Sequence, residues 1–454
     1  MSATLQAPPV STSGHLLRVL GLAFGLAALI GNSIGMGILR TPGEIAAQVH
    51  SAPWFLLIWV LGATYALLGA LSLAELGAMQ PRSGGIYPLV HDALGPFAGF
   101  VAGWTDWIGT TGSIAAVAIV LGEYSGPLIP GLEGHAAASA CVVVIGFALL
   151  QWRGIRVGNV AQLITSSIKG VALIALAVAA LVLVVPSAPA TNVPTATAVA
   201  PVGLALFAAV VVGLQSAIYT YDGWTGPLYF GDEIQNPGRE IPRSMIGGVI
   251  LVLLIYLGLN LAFLRVVGID AMAGDPFVAA TMASRLFGPA GDTVLRILTV
   301  ISLFASVNAL QLMGSRVPYA LSRDGLLPPW FANVNKGGTP LPALLAGTAV
   351  ALAFILTGTF DTVLALLAFF FVANYALAFI ALFVKRRREP DVSRPFRVPG
   401  YPFVPALALI GSLVFLAAAI WSDLRHSEIA LVLLGLSWPA YRMLRLWIKA
   451  PAAN

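Results

Sequence analysis

Gly31-Asn-Ser-Ile-Gly-Met-Gly37 interrupts an apolar stretch that runs from residue 16 to residue 47, close to its midpoint. Three glycines and two polar side chains within seven residues weaken a helix at this point. A second interruption, Tyr221-Asp-Gly-Trp-Thr-Gly-Pro227, lies inside the apolar stretch 201–235. Its proline cannot donate a hydrogen bond to the preceding turn. The two segments predict breaks in two helices that are otherwise long and apolar.

The rest of the chain has the composition of a membrane protein. Only 9% of its 454 residues are charged, against about 25% in soluble domains, and 58% are apolar. This composition argues against a soluble enzyme and against a nucleic-acid-binding protein. The single cysteine, Cys141, excludes an intrachain disulfide and a cysteine-rich metal site. We expect no metal and no organic cofactor. Orientation in a membrane accounts for the net charge of +5.

Apolar runs between Pro, Gly and charged clusters predict an all-α integral membrane protein with twelve transmembrane helices. Most of the 24 Lys and Arg residues fall in loops on the side of the N-terminus, which places both termini in the cytoplasm. We therefore expect a multi-pass protein in the lipid bilayer of the cell (cytoplasmic) membrane. Residues 1–15 lack the basic start of a secretory signal and are expected to form a disordered N-terminal tail. The predicted spans are 16–47, 53–79, 93–122, 136–151, 159–185, 201–235, 243–266, 288–322, 341–357, 361–384, 403–421 and 428–448.

The two breaks occupy corresponding positions if the chain repeats after five spans, because they then lie in the first helix of each half. In hydrocarbon, irregular backbone is tolerated only where it lines a cavity or is buried in protein. Paired interruptions are therefore the best sequence indication of a transporter binding site between two inverted repeats. Close helix packing is the alternative explanation of the glycines. The breaks leave free N–H groups around Met36 and Gly37 and free C=O groups near Tyr219 and Tyr221, which suit the two charged ends of a zwitterion.

Lys169 is the sharpest single residue. It lies about ten residues into the fifth predicted span, which is about 15 Å deep at about 1.5 Å per residue. A cation at this depth costs at least about 2.5 to 3.5 kcal/mol, so a functional role is the default hypothesis. An orienting charge near a misplaced helix end is the alternative.

Other polar residues within the spans leave several roles open. Asp222 is expected to bond the broken backbone, with solvent contact in the cavity or contact with a cationic substrate as alternatives. Glu75 is expected to make a structural or gating contact, with a substrate contact as the alternative. Four residues at helical spacing on span eight indicate either a polar face toward the cavity or interhelical hydrogen bonds: Ser302, Ser306, Asn308 and Gln311. Four charged residues are expected in vestibule or interfacial pairs: Arg40, Asp106, Glu123 and Arg296.

Five stretches spread over most of the chain form a recognisable set. They are Ile34-Gly-Met-Gly-Ile38 with Thr41-Pro-Gly43; Glu75-Leu-Gly-Ala-Met-Gln-Pro-Arg-Ser-Gly-Gly-Ile-Tyr87; Tyr221-Asp-Gly-Trp224 with Glu233-Ile-Gln-Asn-Pro-Gly-Arg-Glu-Ile-Pro242; Arg316-Val-Pro-Tyr-Ala-Leu-Ser-Arg-Asp-Gly325; and Arg394-Pro-Phe-Arg-Val-Pro-Gly-Tyr-Pro402. In sequence and in order they resemble amino acid permeases of the amino acid/polyamine/organocation superfamily.

The resemblance implies a LeuT-like 5+5 inverted repeat in which helices 1 and 6 are discontinuous. Helices 1–5 of the first repeat then occupy residues 16–200, helices 6–10 of the second repeat occupy 201–384, and helices 11–12 occupy 403–448. The resemblance also implies alternating access. Sodium-independent members place a lysine where sodium-coupled relatives of the same fold bind an ion, which implies that Lys169 acts as a cation mimic.

Carried over by resemblance, the backbone N–H groups of Met36 and Gly37 hold the substrate carboxylate. The carbonyl groups of Ser33, Tyr219 and Asp222 take its amino group. Tyr219 falls where the family places an aromatic gate. Met36 replaces the usual serine, which keeps the backbone donor and removes a hydroxyl. The expected substrate-binding residues are Ser33, Gly35, Met36, Gly37, Tyr219, Asp222, Gly223 and Trp224.

We therefore expect a secondary active, sodium-independent amino-acid transporter rather than an enzyme. Proton-coupled uptake of neutral amino acids is the first expectation, with protons and the amino acid as its partners. An amino-acid exchanger and a transporter of cationic amino acids or polyamines are alternatives. A passive channel is a weaker one, because no selectivity-filter repeat occurs. Gly31-Asn-Ser-Ile-Gly35 matches the serine-hydrolase motif G-x-S-x-G, but no histidine base lies at mid-span.

Overall fold

The computed structural model describes residues 16–35, 37–183, 200–357, 360–422 and 424–449. The predicted tail at 1–15 and the residues 184–199 before the predicted repeat boundary lie outside the described part. The helices are α1 (Leu22–Ser33), α2 (Gly37–Val49), α3 (Ala52–Met79), α4 (Tyr87–Leu94), α5 (Pro96–Ser125), α6 (Ala136–Trp152), α7 (Ile155–Val182), α8 (Leu204–Tyr221), α9 (Pro237–Val266), α10 (Ile269–Met272), α11 (Val278–Phe287), α12 (Gly291–Arg323), α13 (Leu341–Thr357), α14 (Phe360–Arg388), α15 (Phe403–Ser422) and α16 (Leu424–Lys449).

These apolar helices identify a multi-pass membrane protein. Within the described residues, nine helices are long and apolar enough to cross a bilayer: α3, α5, α7, α8, α9, α12, α14, α15 and α16. α1 and α2 pass the same test as a pair that is bent by 48°, and α6 and α13 are shorter apolar helices. The predicted span 201–235 is only partly helical, because α8 ends at Tyr221 and a short 3-10 turn, Gly226–Tyr229, follows.

The first helix lies at the centre of the bundle. α1 packs against α7, α9 and α12, while α2 packs against α8. α5 packs against both α12 and α14. Trp59 and Trp224, which are among the largest fully buried side chains, fill the core between these helices. The two interrupted segments are therefore enclosed by helices from both halves of the sequence.

One end of the bundle is closed by ion pairs. Arg82, in the loop after α3, contacts Asp92 at 3.1 Å and Asp324 at 2.6 Å. Arg316 of α12 pairs with Glu233 at 2.9 Å, and both side chains are fully buried. These contacts tie the loops that follow α3, α8 and α12 to one another.

A strand-like bridge lies at the same end. The Leu20 N–H donates to the Glu233 carbonyl oxygen at 2.9 Å, and the Gln235 N–H donates to the Leu20 carbonyl oxygen at 2.8 Å. This short parallel pairing joins the segment before α1 to the loop beyond α8.

Glu75 makes a structural contact. Its carboxylate, which is fully buried, accepts hydrogen bonds from Arg386 at 2.7 and 2.6 Å and from the Val398 N–H at 2.7 Å. Arg394 lies 3.1 Å away. The carboxylate thereby fixes α3 to the end of α14 and to the loop before α15.

Candidate functional site

The first break separates α1 from α2. α1 ends at Ser33 and α2 begins at Gly37, and the two helices meet at 48°. Met36 lies outside the described residues. A Cβ atom at Gly37 would lie 2.8 Å from the Thr220 side chain, so the start of α2 approaches the end of α8 closely.

The second break begins where α8 ends. Gly223 has φ = 110°, a conformation that L side chains rarely adopt. A Cβ atom at Gly223 would lie 2.7 Å from the Ser33 nitrogen and 2.9 Å from the Asn32 carbonyl carbon. The two interrupted segments are therefore in direct contact, and this contact requires glycine.

Tyr256 of α9 links the two breaks. Its hydroxyl group lies 2.9 Å from the Ser33 carbonyl oxygen and 3.1 Å from the Thr220 carbonyl oxygen, and the side chain is fully buried. Each carbonyl oxygen has two lone pairs, so it retains capacity for a second donor. The sequence does not mark this residue, because a tyrosine within an apolar run has no unusual feature.

Lys169 of α7 places its ammonium group at the C-terminal end of α1. Its ammonium group donates to the Gly31 carbonyl oxygen at 3.1 Å, to the Ile34 carbonyl oxygen, and to the Ser306 hydroxyl at 3.0 Å. The side chain is 1% exposed. A helix C-terminus carries partial negative charge on carbonyl groups that lack helical partners. The ammonium group therefore satisfies and neutralises the end of α1.

The polar residues of α12 divide between two roles. Ser306 contacts Lys169 and also lines the cavity described below. Asn308 donates to the Gln162 side chain at 2.8 Å, and Gln311 donates to the Val144 carbonyl oxygen at 2.9 Å. One residue of the predicted face therefore meets the cavity, while two others bond neighbouring helices.

A cavity of about 630 Å³ lies beside the breaks. Five of the predicted substrate-binding residues line it: Ser33, Gly35, Gly37, Tyr219 and Asp222. Gly223, Trp224 and Lys169 lie behind this lining, and Trp224 packs against the Tyr375 ring at 4.7 Å between centroids. Arg40 and Glu44, both exposed, line the cavity at the end opposite the ion pairs. Among the described lining residues, the exposed ones therefore lie at one end of the bundle.

Two acidic side chains line the inner part of this cavity. Asp222 accepts a hydrogen bond from the Tyr375 hydroxyl and interacts with the Gly223 backbone N–H. Asp106 of α5 accepts a hydrogen bond from the Tyr229 hydroxyl at 2.6 Å and is 3% exposed. The structure places Asp106 in the cavity wall instead of in the vestibule or interfacial pair that the sequence suggested.

The chain is similar in sequence to known proteins. A family model described as amino acid permease matches residues 16–434. The chain belongs to this family. It is 29% identical over 433 residues to the serine/threonine exchanger SteT of Bacillus subtilis (strain 168), an alignment that covers 93% of this chain and 95% of the relative. It is 27% identical over 446 residues to the b(0,+)-type amino acid transporter 1 of Mus musculus, which covers 96% of this chain and 89% of that protein.

The human cystine/glutamate transporter is 27% identical over 455 residues, which is 98% of this chain and 88% of that protein. These relatives are amino acid transporters or exchangers of the amino acid/polyamine/organocation superfamily. The expected family and the expectation of a transporter rather than an enzyme are confirmed.

Proposed function

We propose that this permease exchanges neutral amino acids across the cell membrane by alternating access, without sodium. Contact between the two interrupted segments beside an internal cavity is the observation that carries this proposal. Helix ends on one wall offer both N–H and C=O groups, and these match the carboxylate and the amino group of one substrate.

Substrate contacts follow from the positions of the lining residues. We propose that backbone donors around Met36 and Gly37 bind the carboxylate, and that the carbonyl groups of Ser33, Tyr219 and Asp222 take the amino group. Tyr219 then covers the bound substrate as an aromatic gate, with Gly35, Gly223 and Trp224 shaping the break. Lys169 supplies a tethered cation, so no sodium ion is needed beside α1.

The open and closed ends of the bundle support alternating access. One end is sealed by the pairs Arg82–Asp324 and Arg316–Glu233, while the cavity reaches the exposed Arg40 and Glu44 at the other end. We propose that α1/α2 and the α8 segment are the discontinuous helices 1 and 6 of a 5+5 inverted repeat. The apolar helices then form twelve spans, with both termini in the cytoplasm.

Exchange is the favoured mode because a relative that covers nearly the whole chain is named as an exchanger. Proton-coupled uptake is the second candidate, because Asp106 and Asp222 both line the cavity and a carboxylate there offers a site for a proton.

Transport by the purified full chain in proteoliposomes tests the proposal. Labelled neutral amino acids are supplied outside, with or without internal amino acid, with or without a pH gradient, and in sodium or choline salt. Exchange predicts uptake that requires internal amino acid and is equal in both salts. Uptake that instead requires an inward proton gradient identifies symport, and a requirement for sodium contradicts the role of Lys169.

A further inference from the structure

Asp106 has unused hydrogen-bonding capacity at the cavity wall. Its Oδ1 atom accepts from the Tyr229 hydroxyl, whereas its Oδ2 atom is buried and has no hydrogen-bond partner among the described residues. Gly85, with φ = 69°, lies against this oxygen, and a Cβ atom there would approach Oδ2 to 3.1 Å. The Thr110 hydroxyl also interacts with this carboxylate. An ionised carboxylate accepts about four hydrogen bonds, so capacity is left for a further donor.

The charges that line the cavity also favour an occupant that donates hydrogen bonds. The charged residues among its described lining are Arg40, Glu44, Asp106 and Asp222, and the first two are exposed at the mouth. The inner part of the described lining therefore holds two carboxylates and no cation. A buried carboxylate without a full set of partners is costly, which favours an occupant that donates hydrogen bonds.

Asp106 lies on a different helix from the two breaks. Thr110 and Ser113 follow it on α5 at spacings of four and seven residues, and all three residues line the cavity. This spacing places them on one face of the helix. Asn374 of α14 lines the cavity beside them. In the proposed function the breaks hold the amino and carboxylate groups, so this polar face is left for the substrate side chain.

We propose that Asp106 is the specificity-determining residue of a side-chain subsite, which accepts a hydrogen bond from a hydroxyl or ammonium group of the substrate. This inference rests on the proposed transport of amino acids and adds a substrate class to it. A site built to bond a donor discriminates strongly against an isostere that lacks it, because the buried acceptor is then unpaired. We expect the donor to bind at least about tenfold better than its isostere, which corresponds to about 1.4 kcal/mol.

Matched pairs of amino acids test the subsite in proteoliposomes. Each compound competes with the labelled substrate that the wild-type protein takes up best. The neutral pairs are serine against 2-aminobutyrate and threonine against valine. The cationic pair is 2,4-diaminobutyrate against norvaline. The readout is the ratio of inhibition constants within each pair, measured for the wild-type protein, Asp106→Asn and Tyr229→Phe.

The wild-type protein should prefer the donor in at least one pair, and Asp106→Asn should reduce that preference about tenfold or more. A preference confined to the neutral pairs identifies a hydroxyl ligand. A preference confined to the cationic pair identifies an ammonium ligand. Tyr229→Phe removes the donor to Oδ1 and leaves the carboxylate in place, so it should retain the preference.

Three results overturn the inference. The first is equal inhibition by donor and isostere in all pairs of the wild-type protein. The second is an Asp106→Asn variant that weakens both members of each pair equally, as loss of a proton carrier would. The third is the same change in Tyr229→Phe as in Asp106→Asn, which would mean that Asp106 only positions Tyr229. Each of these leaves amino-acid transport intact, whereas failure of the proposed function would remove uptake by the wild-type protein itself.

Discussion

Replacement of Lys169 by methionine removes the cation at the end of α1 and retains an unbranched side chain of similar length. The ammonium group donates to the carbonyl oxygens of Gly31 and Ile34. In its absence Ser306 still bonds the Gly31 oxygen at 2.7 Å, but it lies 3.5 Å from the Ile34 oxygen. Lys169→Met therefore leaves the Ile34 carbonyl oxygen without a well-formed hydrogen bond.

The contacts of the ammonium group set the expected changes in the free energy of unfolding and in substrate binding. A hydrogen bond to a charged group contributes about 1.5 to 3 kcal/mol, so the three bonds to Gly31, Ile34 and Ser306 contribute about 4.5 to 9 kcal/mol. The buried ammonium itself costs at least about 2.5 to 3.5 kcal/mol, and the variant no longer bears that cost. The free energy of unfolding should therefore fall by about 1 to 6.5 kcal/mol. Loss of one well-formed charged contact at Ile34 should lower the fraction of binding-competent molecules about 10- to 100-fold.

Uptake in proteoliposomes and the midpoint of thermal unfolding separate these two effects. Lys169→Met should raise the apparent KM by about 10- to 100-fold, with a moderate fall in Tm. Lys336→Met removes an exposed lysine from a loop and serves as the matched control. An apparent KM of Lys169→Met within twofold of the wild-type value would refute the reasoning.

Three further variants test the breaks and the closed end. Tyr256→Phe should raise the apparent KM by up to about tenfold through the loss of a net hydrogen bond of about 1 kcal/mol; an unchanged KM in uptake assays would contradict its linking role. Gly223→Ala should abolish uptake, because the backbone at a positive φ is strained and the added Cβ meets the first break, while Gly258→Ala, whose nearest neighbour is 3.8 Å away, should be active. Glu233→Gln leaves the buried Arg316 without its partner and should cost about 3 to 5 kcal/mol of stability. Pairing it with Arg316→Met should restore much of the Tm, and a single variant as stable as the wild-type protein would argue against a strong pair.

The features that the sequence predicted are those that break a local rule. Glycines and a proline within apolar runs marked both interruptions, and a lone cation deep in a span marked Lys169. Each of these is unfavourable in a membrane helix unless something nearby compensates for it. Residues that are unfavourable in a membrane helix can be recognised from the sequence alone, before any contact is known.

Features that depend on the third dimension were not predictable in this way. Tyr256 has an ordinary sequence context, and its role comes from two carbonyl groups more than 30 and more than 200 positions away. Asp106 lies at the middle of its predicted span, 93–122, and its sequence context does not show that its helix face lines a cavity. The partners of Glu75 come from the end of α14 and from the loop beyond it. Repeat symmetry and the substrate-binding roles remain predictions.

The pairing of Leu20 with residues 233 and 235 has a mechanical consequence. Because this pairing joins α1 to the segment that carries Glu233, we expect a tilt of α1 to move that segment and, through the ion pair, Arg316. The contacts at the closed end of the bundle are therefore expected to break together in one step rather than one after another. Spectroscopic reporters placed along this connection should report the same rate of opening.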